Sequence, residues 1–530
     1  MKVRRTIGLI LVSTCAVAFL ARSSAHTAAL QNPAAIAAAG AGSIYDVRVY
    51  GALGDARTLD TAAVNRAIDA AAAAGGGTVR FPAGTYLCFS IHLKSNVALY
   101  LDQGATILAA DPPAAGSTGG YDPAEPNQWD KFQDFGHSHW HNSLMWGEGI
   151  ENVSIFGPGQ INGRGLTREA DPRPGVGNKT IALKLCRNII IRDISILRAG
   201  HFGILATGVD NLTVDNLKID TNRDGINVDG CRNVRISNLS VNSPWDDGIC
   251  LKSSYGLGFA RATENVTITG CQLSGYDTGT FLDGTYKRSP KGAPDGGGPT
   301  GRIKFGTESN GGFKNIAISN CVFDYCRGLA LETVDGGLLE DVSITNITMR
   351  DIVNAPIFLR LGSRLRDPEG TAVGALRRVI IGNIMVYNAD PRYGSIISGI
   401  PGHDIEDVKL SNIRIFYRGG GTKAQAALQP PEKEDGYPEP SMFGEIPAYG
   451  FFIRHVKGIE FNNVEVSWLK EDLRPAFLLA NVKGPAFLHV NAQQAQDVPV
   501  FDLRSVEEFS TYQCRSVPDT KLKSVAQKKL

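Results

Sequence analysis

The sequence predicts an all-β chain wound as a right-handed, single-stranded parallel β-helix with an N-terminal capping helix. Three observations predict it. A short phrase, Asn or Asp followed by alternating β-formers, recurs along the chain: Asn152-Val153-Ser154-Ile155, Asn188-Ile189-Ile190-Ile191, Asn211-Leu212-Thr213-Val214, Asn233-Val234-Arg235-Ile236, Asn265-Val266-Thr267-Ile268, Asn315-Ile316-Ala317-Ile318, Asp341-Val342-Ser343-Ile344 and Asp407-Val408-Lys409-Leu410. Asn188, Asn211 and Asn233 stand 23 and 22 residues apart and Asp341 follows Asn315 by 26, whereas steps of 32 and 50 mark coils that carry inserts. Sixty glycines among 530 residues, against 22 Phe and 5 Trp, supply tight turns. Period-two alternation that returns every ~22 residues brings short strands back to one azimuth. Each coil then rests on the last at ~4.8 Å, with inward Val, Ile and Leu stacked into one long core. A leucine-rich horseshoe would need helical segments and a leucine frame, and both are missing.

The elements follow in chain order. Lys2, Arg4 and Arg5 precede an apolar run from Ile7 to Leu20, and Ser23-Ser24-Ala25 offers small residues for cleavage. Residues 1–25 are therefore expected to be a signal peptide and 26–44 a linker, with export to the periplasm or the extracellular space. The run is shorter than the ~20 apolar residues of a membrane span, and no later stretch replaces it, so no membrane partner is expected after cleavage. Asp60 is expected to N-cap a helix through Ala74, with Val64 and Ile68 on one face and Gly75-Gly76-Gly77 stopping it. Because helix precedes strand, the glycine triplet is no phosphate loop. The β-helix is expected over 45–510, with surface inserts near 287–301 and 429–447 that wall a cleft, and a tail over 511–530.

Composition narrows the function classes. With 43% hydrophobic and 20% charged residues, the chain is neither disordered nor multi-spanning. Fifty-four Lys+Arg against 53 Asp+Glu give a net charge of +1, which provides no basic field for nucleic acid. Charge that matters must be local. The cysteines beyond Cys15 are scattered, with no zinc spacing, and the sequence does not decide whether Cys321 and Cys326 pair.

Local charge gathers where two coils align on each other. Asp224-Gly225-Ile226-Asn227-Val228-Asp229 matches Asp247-Gly248-Ile249-Cys250-Leu251-Lys252 one coil later. Ile226 and Val228 then stack on Ile249 and Leu251, Asn227 and Cys250 face out, and Asp224, Asp246 and Asp247 share one edge. Like charges at that range raise at least one pKa, which suits a general acid, while another carboxylate stays ionised to activate water. Turn chemistry alone also places Asp at strand edges.

At these residues the chain resembles glycoside hydrolase family 28, the polygalacturonase family, whose fold is a pectin-lyase-like solenoid. The resemblance runs from Tyr45 to about Val490. The family's Asn-Thr-Asp stands here as Asn222-Arg223-Asp224 and its Asp-Asp pair as Asp246-Asp247, followed by Ile249 and Lys252. It implies inverting hydrolysis of a pectic polysaccharide or oligosaccharide without cofactor or metal. Asp246 would be the general acid, with Asp224 and Asp247 activating water across a carboxyl gap of roughly 6.5–9.5 Å. Asn222, Arg223, Trp245 and Lys252 would contact substrate, Trp245 by stacking on a sugar face or else by packing at the strand edge.

The departures bear on the substrate. Aligning Gly301-Arg302-Ile303-Lys304-Phe305 on Asp247–Leu251 puts Gly301 where the family has the histidine of its His-Gly motif. Arg302-Ile303-Lys304 spells the family's Arg-Ile-Lys one coil early, and in the following coil Ala330 and Glu332 replace the arginine and lysine. A sugar carboxylate facing Glu332 would be repelled. Either Lys304, Arg302 and Arg223 bind a uronate from new positions, or the sugar there is neutral, or the alignment through the inserted coil is displaced. His137, His139 and His141 alternate in Gly136–His141, a spacing that on a strand could ligate metal, which the family chemistry does not need; His139 and Trp140 are expected on a cleft-wall loop with an aromatic platform, or else on an ordered surface loop. Two rival functions remain at this stage, a pectate-lyase-like β-elimination that uses Ca²⁺ and a non-catalytic polysaccharide-binding β-helix.

Overall fold

The computed structural model describes residues 44–289, 293 and 296–530; the expected signal peptide and nearly all of the linker lie outside them. From Tyr45 to Leu530 the chain is one unit. Its strands join in a single sheet that winds as a right-handed parallel β-helix. A typical coil has three short strands, as in Phe202–Thr207, Asp210–Asp215 and Lys218–Asp220, followed by Asp224–Asp229, Arg232–Ser237 and Ser240–Asn242. In the coils that carry Phe313–Asp324, Leu338–Arg350, Ala375–Ala389 and Ile405–Gly419 the second and third strands merge into one long strand.

Pairing is parallel and in register, so equivalent residues stand directly over one another. Ile181, Ile204, Ile226, Ile249 and Ile303 form one such column, and Leu183, Ala206, Val228, Leu251 and Phe305 the next. All ten are fully buried, and they belong to one core that extends from Val47 to Val517. Burying a large aliphatic side chain contributes roughly 1.5–3 kcal/mol, so a column of five is a substantial local stabilisation.

The recurring Asn has its own explanation. Asn152, Asn188, Asn211, Asn233, Asn265 and Asn315 all adopt φ between 54° and 58°, the left-handed turn that Asn tolerates better than other residues bearing a Cβ. Each side-chain Nδ2 donates to the Oδ1 of the Asn one coil earlier, from Asn152 to Asn96 at 2.9 Å through Asn315 to Asn265 at 2.8 Å. Near the C-terminal end, aromatic columns do similar work inside the core, with Phe477 stacked on Phe451 at 5.6 Å and on Phe501 at 5.1 Å.

Both ends of the solenoid are covered. The helix spans Thr61–Ala73 and buries Ala63, Val64, Ala67, Ile68 and Ala71. Asp60 does not cap it through its side chain as expected. Its buried carboxylate instead accepts the backbone N–H groups of Leu53 at 2.7 Å and Gly54 at 3.0 Å, fixing the preceding turn. Gly76, at φ 134°, lies so close to Asn96 that a Cβ would stand 2.6 Å from its carbonyl oxygen. At the other end, the stretch 511–530 is not a tail: Thr520–Lys529 is a strand, antiparallel on Phe501–Tyr512.

A second correction concerns the outward-facing positions. Asn227 and Cys250 alternate with core residues as expected, yet both are fully buried. The segment around Gly136–Trp140 packs over this part of the helix, with Gly136 against His201 and Phe202 and Trp140 against Ala182, Phe202 and Leu205. Among the described residues every cysteine is free, and Cys321 neighbours Cys271 of the previous coil. No helix among them is long and apolar enough to cross a membrane.

The ladder predicts a backbone-specific mutational pattern. Asn211→Ala should lower unfolding free energy by about 2 kcal/mol, because it removes two amide hydrogen bonds and puts a Cβ without compensation at positive φ; Asn211→Gly should lower it by about 1 kcal/mol. Denaturant titration followed by circular dichroism measures both, and equal losses would contradict the role given to φ.

Candidate active site

In-register stacking brings the predicted carboxylates together. Asp224 begins its strand, and Asp246-Asp247 precede the strand Ile249–Ser253 one coil later. One oxygen from each of Asp224, Asp246 and Asp247 lies within 4.8 Å of the other two. The Asp247 N–H donates to Asp224 Oδ1 at 3.1 Å and to Asp246 Oδ1 at 3.0 Å, so backbone as well as side chain holds the cluster. The expected gap of roughly 6.5–9.5 Å is not found at the nearest oxygens. The physical reason is that adjacent coils lie only ~4.8 Å apart, a spacing that allows one water to contact two carboxylates at once.

Asp224 is buried beside Asp246 and Asp247 and outside the lining, whereas those two line a cleft of about 550 Å³. Its walls include Trp245, Asp246 and Asp247, the cations Arg168, Arg223, Arg302, Lys304 and Arg327, and Tyr437 and Glu439 from the 429–447 insert. Asp246, with its side chain 24% exposed, faces the cleft more openly than Asp247, at 5%. Trp245 is partly exposed, and the Arg168 guanidinium lies 3.9 Å over its ring.

Electrostatics separate the carboxyls. Burial, reinforced by neighbouring Asp246 and Asp247, pushes Asp224 well above the usual carboxylate range against the opposing pull of Lys252 and Arg223. Burial also acts to raise Asp246, but the Arg223 charge, a hydrogen bond from Asp224 and the Arg223 hydrogen bonds outweigh it and hold Asp246 low. Arg223 Nε and Nη2 donate to Asp246 Oδ2 at 3.0 and 2.5 Å. The two shifts are opposed, so a proton on the pair favours Asp224, from which Asp246 accepts a hydrogen bond. Asp247 accepts from Arg302 Nε at 2.8 Å and stands 3.7 Å from Lys304 Nζ.

The remaining predicted residues divide. Arg223, Trp245, Arg302 and Lys304 line the cleft. The register pairs Ile249 with Ile303, Cys250 with Lys304 and Leu251 with Phe305, which removes the displaced-alignment reading and leaves Gly301 at the azimuth of Asp247. Asn222 is half-buried and outside the cleft lining, and Lys252 is buried in an ion pair with Glu308 at 2.7 Å. Glu332 does not face the cleft: it is fully buried, neither carboxyl oxygen accepts a hydrogen bond among the described residues, and Lys304 Nζ is 3.6 Å away. Burial, only partly offset by Lys304 and Arg302, pushes its pKa up to about 8.

His139 and Trp140 are also corrected. Trp140 is fully buried, donates from Nε1 to Thr207 Oγ1 at 3.0 Å and presents no face to a sugar; His139 is 3% exposed, with Nδ1 2.5 Å from the Glu125 carbonyl. Aromatic content predicts a platform only where the ring lacks a better apolar neighbour, and here Phe202 and Leu205 take it. The nearby group of Asp134, His137 and Glu308 is already compensated by Lys252 and Arg366, which lie 2.7–2.8 Å from its carboxylates.

Sequence reasoning did not single out Arg168, Arg327, Tyr437 or Glu439. Arg327 was readable in part, since the coil register places it on the azimuth of Asp247 two coils on. The signal for Glu439 is weaker: Pro438 and Pro440 flank it within an insert otherwise read only as a wall.

Fold and site together define a β-helix with a cluster of three carboxyls, two of which line an open cleft. Residues 130–276 match the family model described as glycosyl hydrolases family 28, and residues 44–140 match that of rhamnogalacturonase A/epimerase, pectate lyase-like. The chain is thus a β-helix that resembles glycosyl hydrolase family 28 over residues 130–276. An exo-poly-alpha-D-galacturonosidase of Dickeya chrysanthemi is 31% identical over 221 residues, covering 40% of this chain and 34% of that protein. This chain therefore spans about a third of the length of that relative, and 60% of a probable polygalacturonase of Vitis vinifera that is 24% identical over 57% of this chain. Among solved structures, a family 28 exopolygalacturonase of Yersinia enterocolitica superposes with a TM-score of 0.59 at 19% identity, over 84% of this chain and 78% of that one.

Glu332 yields a pH prediction. Its folded pKa of about 8 exceeds the unfolded value of ~4.3, so folding takes up a proton between those limits and wild-type stability should fall as pH rises from about 5 to 8. Glu332→Gln should abolish that decline and exceed wild type at pH 8 by on the order of a few kcal/mol. Thermal melts at pH 5, 6.5 and 8 test this; parallel curves for the two proteins contradict it.

Proposed function

We propose that the chain is an exported, inverting glycoside hydrolase that cleaves pectin-type polysaccharide or oligosaccharide from a chain end. One observation carries the reading: three carboxyl groups meet within 4.8 Å, Asp246 and Asp247 on the wall of an open cleft and Asp224 buried beside them, with Asp224 raised and Asp246 lowered in pKa. The family match, the printed names of the relatives and the pectic class they share support the substrate class and the end-cleaving mode.

The proton account closes on these residues. The Asp224–Asp246 pair starts with one proton, mainly on Asp224. Asp246, the more exposed member, passes it to the glycosidic oxygen as the bond from that oxygen to the anomeric carbon breaks, and both carboxyls are then ionised. A water between Asp224 and Asp247 attacks the anomeric carbon, and its proton returns to the pair. Arg302 and Lys304 hold Asp247 in place. Arg223 stabilises the carboxylate that Asp246 becomes.

The β-elimination reading fits less well. The carboxylate oxygens that would hold Ca²⁺ are already engaged by Arg223 and Arg302, with Lys304 beside them, and a divalent cation would have to displace these charges. A purely binding β-helix gives no account of carboxyls with opposed pKa shifts.

Two measurements test the proposal. Asp246→Asn should reduce kcat on pectic oligosaccharides by at least ~10³-fold while the melting temperature stays near wild type, and NMR of early wild-type product should show the inverted anomer. Retained turnover would remove Asp246 from the acid role, and an unsaturated product would indicate elimination. Because the proton resides in a pair whose Asp224 member is raised, the alkaline limb of kcat against pH should lie above the ~3.9 of an ordinary aspartate, and Arg223→Gln should move it further upward.

A further inference from the structure

The cations of the cleft beyond Asp247 are already occupied by a carboxylate of the protein itself. Arg302 Nη2 and Nη1 bind Glu439 Oε1 and Oε2, the second contact at 3.2 Å; Arg327 Nη1 approaches Oε2 at 3.1 Å, and Lys304 Nζ approaches Oε1 at 3.5 Å. Arg302 thus spans two carboxylates, Asp247 on one side and Glu439 on the other. Burial opposes the charge on Glu439, but Arg302, Arg327 and Lys304 outweigh it and hold its pKa at about 2. The loop that brings it is anchored, since Phe443 and Ile446 pack with Ala330, Phe358, Ile396 and Phe452 on the outer face of the solenoid. Tyr437 of the same loop covers Lys304, whose Nζ lies 5.3 Å from the ring centre.

A planar carboxylate gripped by two guanidiniums and an ammonium is the arrangement a uronic acid would need. A sugar carboxylate entering here would meet cations whose donors point at Glu439, and would face Glu439 as a like charge. Sugar hydroxyls meet no such conflict, because a hydroxyl can both donate to Glu439 and accept from Lys304 or Arg327.

We propose that Glu439 determines specificity, occupying the cation pocket of Arg302, Lys304 and Arg327 so that the subsite beside Asp247 takes a neutral sugar and excludes a uronate. The inference rests on the cleft being a glycan site and deepens that reading by naming the sugar class at one position. It concerns binding at a site whose chemistry lies elsewhere, on Asp224, Asp246 and Asp247.

Glu439→Gln tests it, since the amide keeps the shape and removes the charge. Calorimetric titration with digalacturonate and with its carboxyl-reduced, neutral counterpart is the primary measurement, and kcat/KM on the matching oligosaccharides is the second. Wild type should prefer the neutral ligand, and Glu439→Gln should bind digalacturonate at least tenfold more tightly than wild type while its affinity for the neutral ligand holds or falls. Equal affinities of the two proteins for digalacturonate, or tighter binding by wild type, overturn the inference. Selective gain of uronate affinity without turnover of any glycan would leave the specificity role standing and remove the hydrolase reading. If Glu439→Gln unfolds early in a melt, Glu439→Ala serves instead: added acetate should refill the pocket and suppress digalacturonate binding, and insensitivity to acetate counts against the inference.

Discussion

In-register stacking of parallel coils is the constraint on which the rest of the structure depends. Backbone pairing of each strand with the coils before and after it keeps azimuth from coil to coil, so a residue's neighbours are those one turn away. The isoleucine column, the asparagine ladder and the aspartate cluster are three results of that single geometry. Coil spacing also sets the chemistry. Stacked positions on adjacent coils lie about one coil spacing apart, and the side chains of Asp224 and Asp247 converge there, within 4.8 Å at their nearest oxygens.

That proximity explains the dense cation network around the site. Carboxylates this close would not remain ionised together without compensation, and Arg223, Arg302 and Lys304 provide it unevenly. Arg223 acts on Asp246 and leaves Asp224 to carry the proton, whereas Arg302 is shared between Asp247 and the 429–447 insert. The aspartate cluster and the insert are therefore joined by one guanidinium, Arg302, between Asp247 and Glu439.

The sequence was most legible where periodicity speaks. The repeated Asn phrase disclosed the coils, and the match of Asp224–Asp229 to Asp247–Lys252 disclosed the register, because a one-residue slip would have turned every apolar side chain outward. It was least legible where long-range packing decides. Asn227 and Cys250 read as exposed because alternation says which way a side chain points and nothing about what covers it. Trp140 read as a sugar platform, and Glu332 as a cleft residue, for the same reason: burial at 0% comes from segments distant in the chain. Glu439 arrives from more than a hundred residues away, through a loop with no period to align.

The final strand, Thr520–Lys529, reverses direction against Phe501–Tyr512. A parallel solenoid ending on an open coil would offer a template onto which the first coil of another molecule could add, and fibres could grow by that route. Reversal breaks the pattern of donors and acceptors such an addition requires, and Lys521, Lys523, Lys528 and Lys529 place repelling charge along the last edge. The reversed strand thus blunts the edge on which a second copy of the chain would otherwise stack.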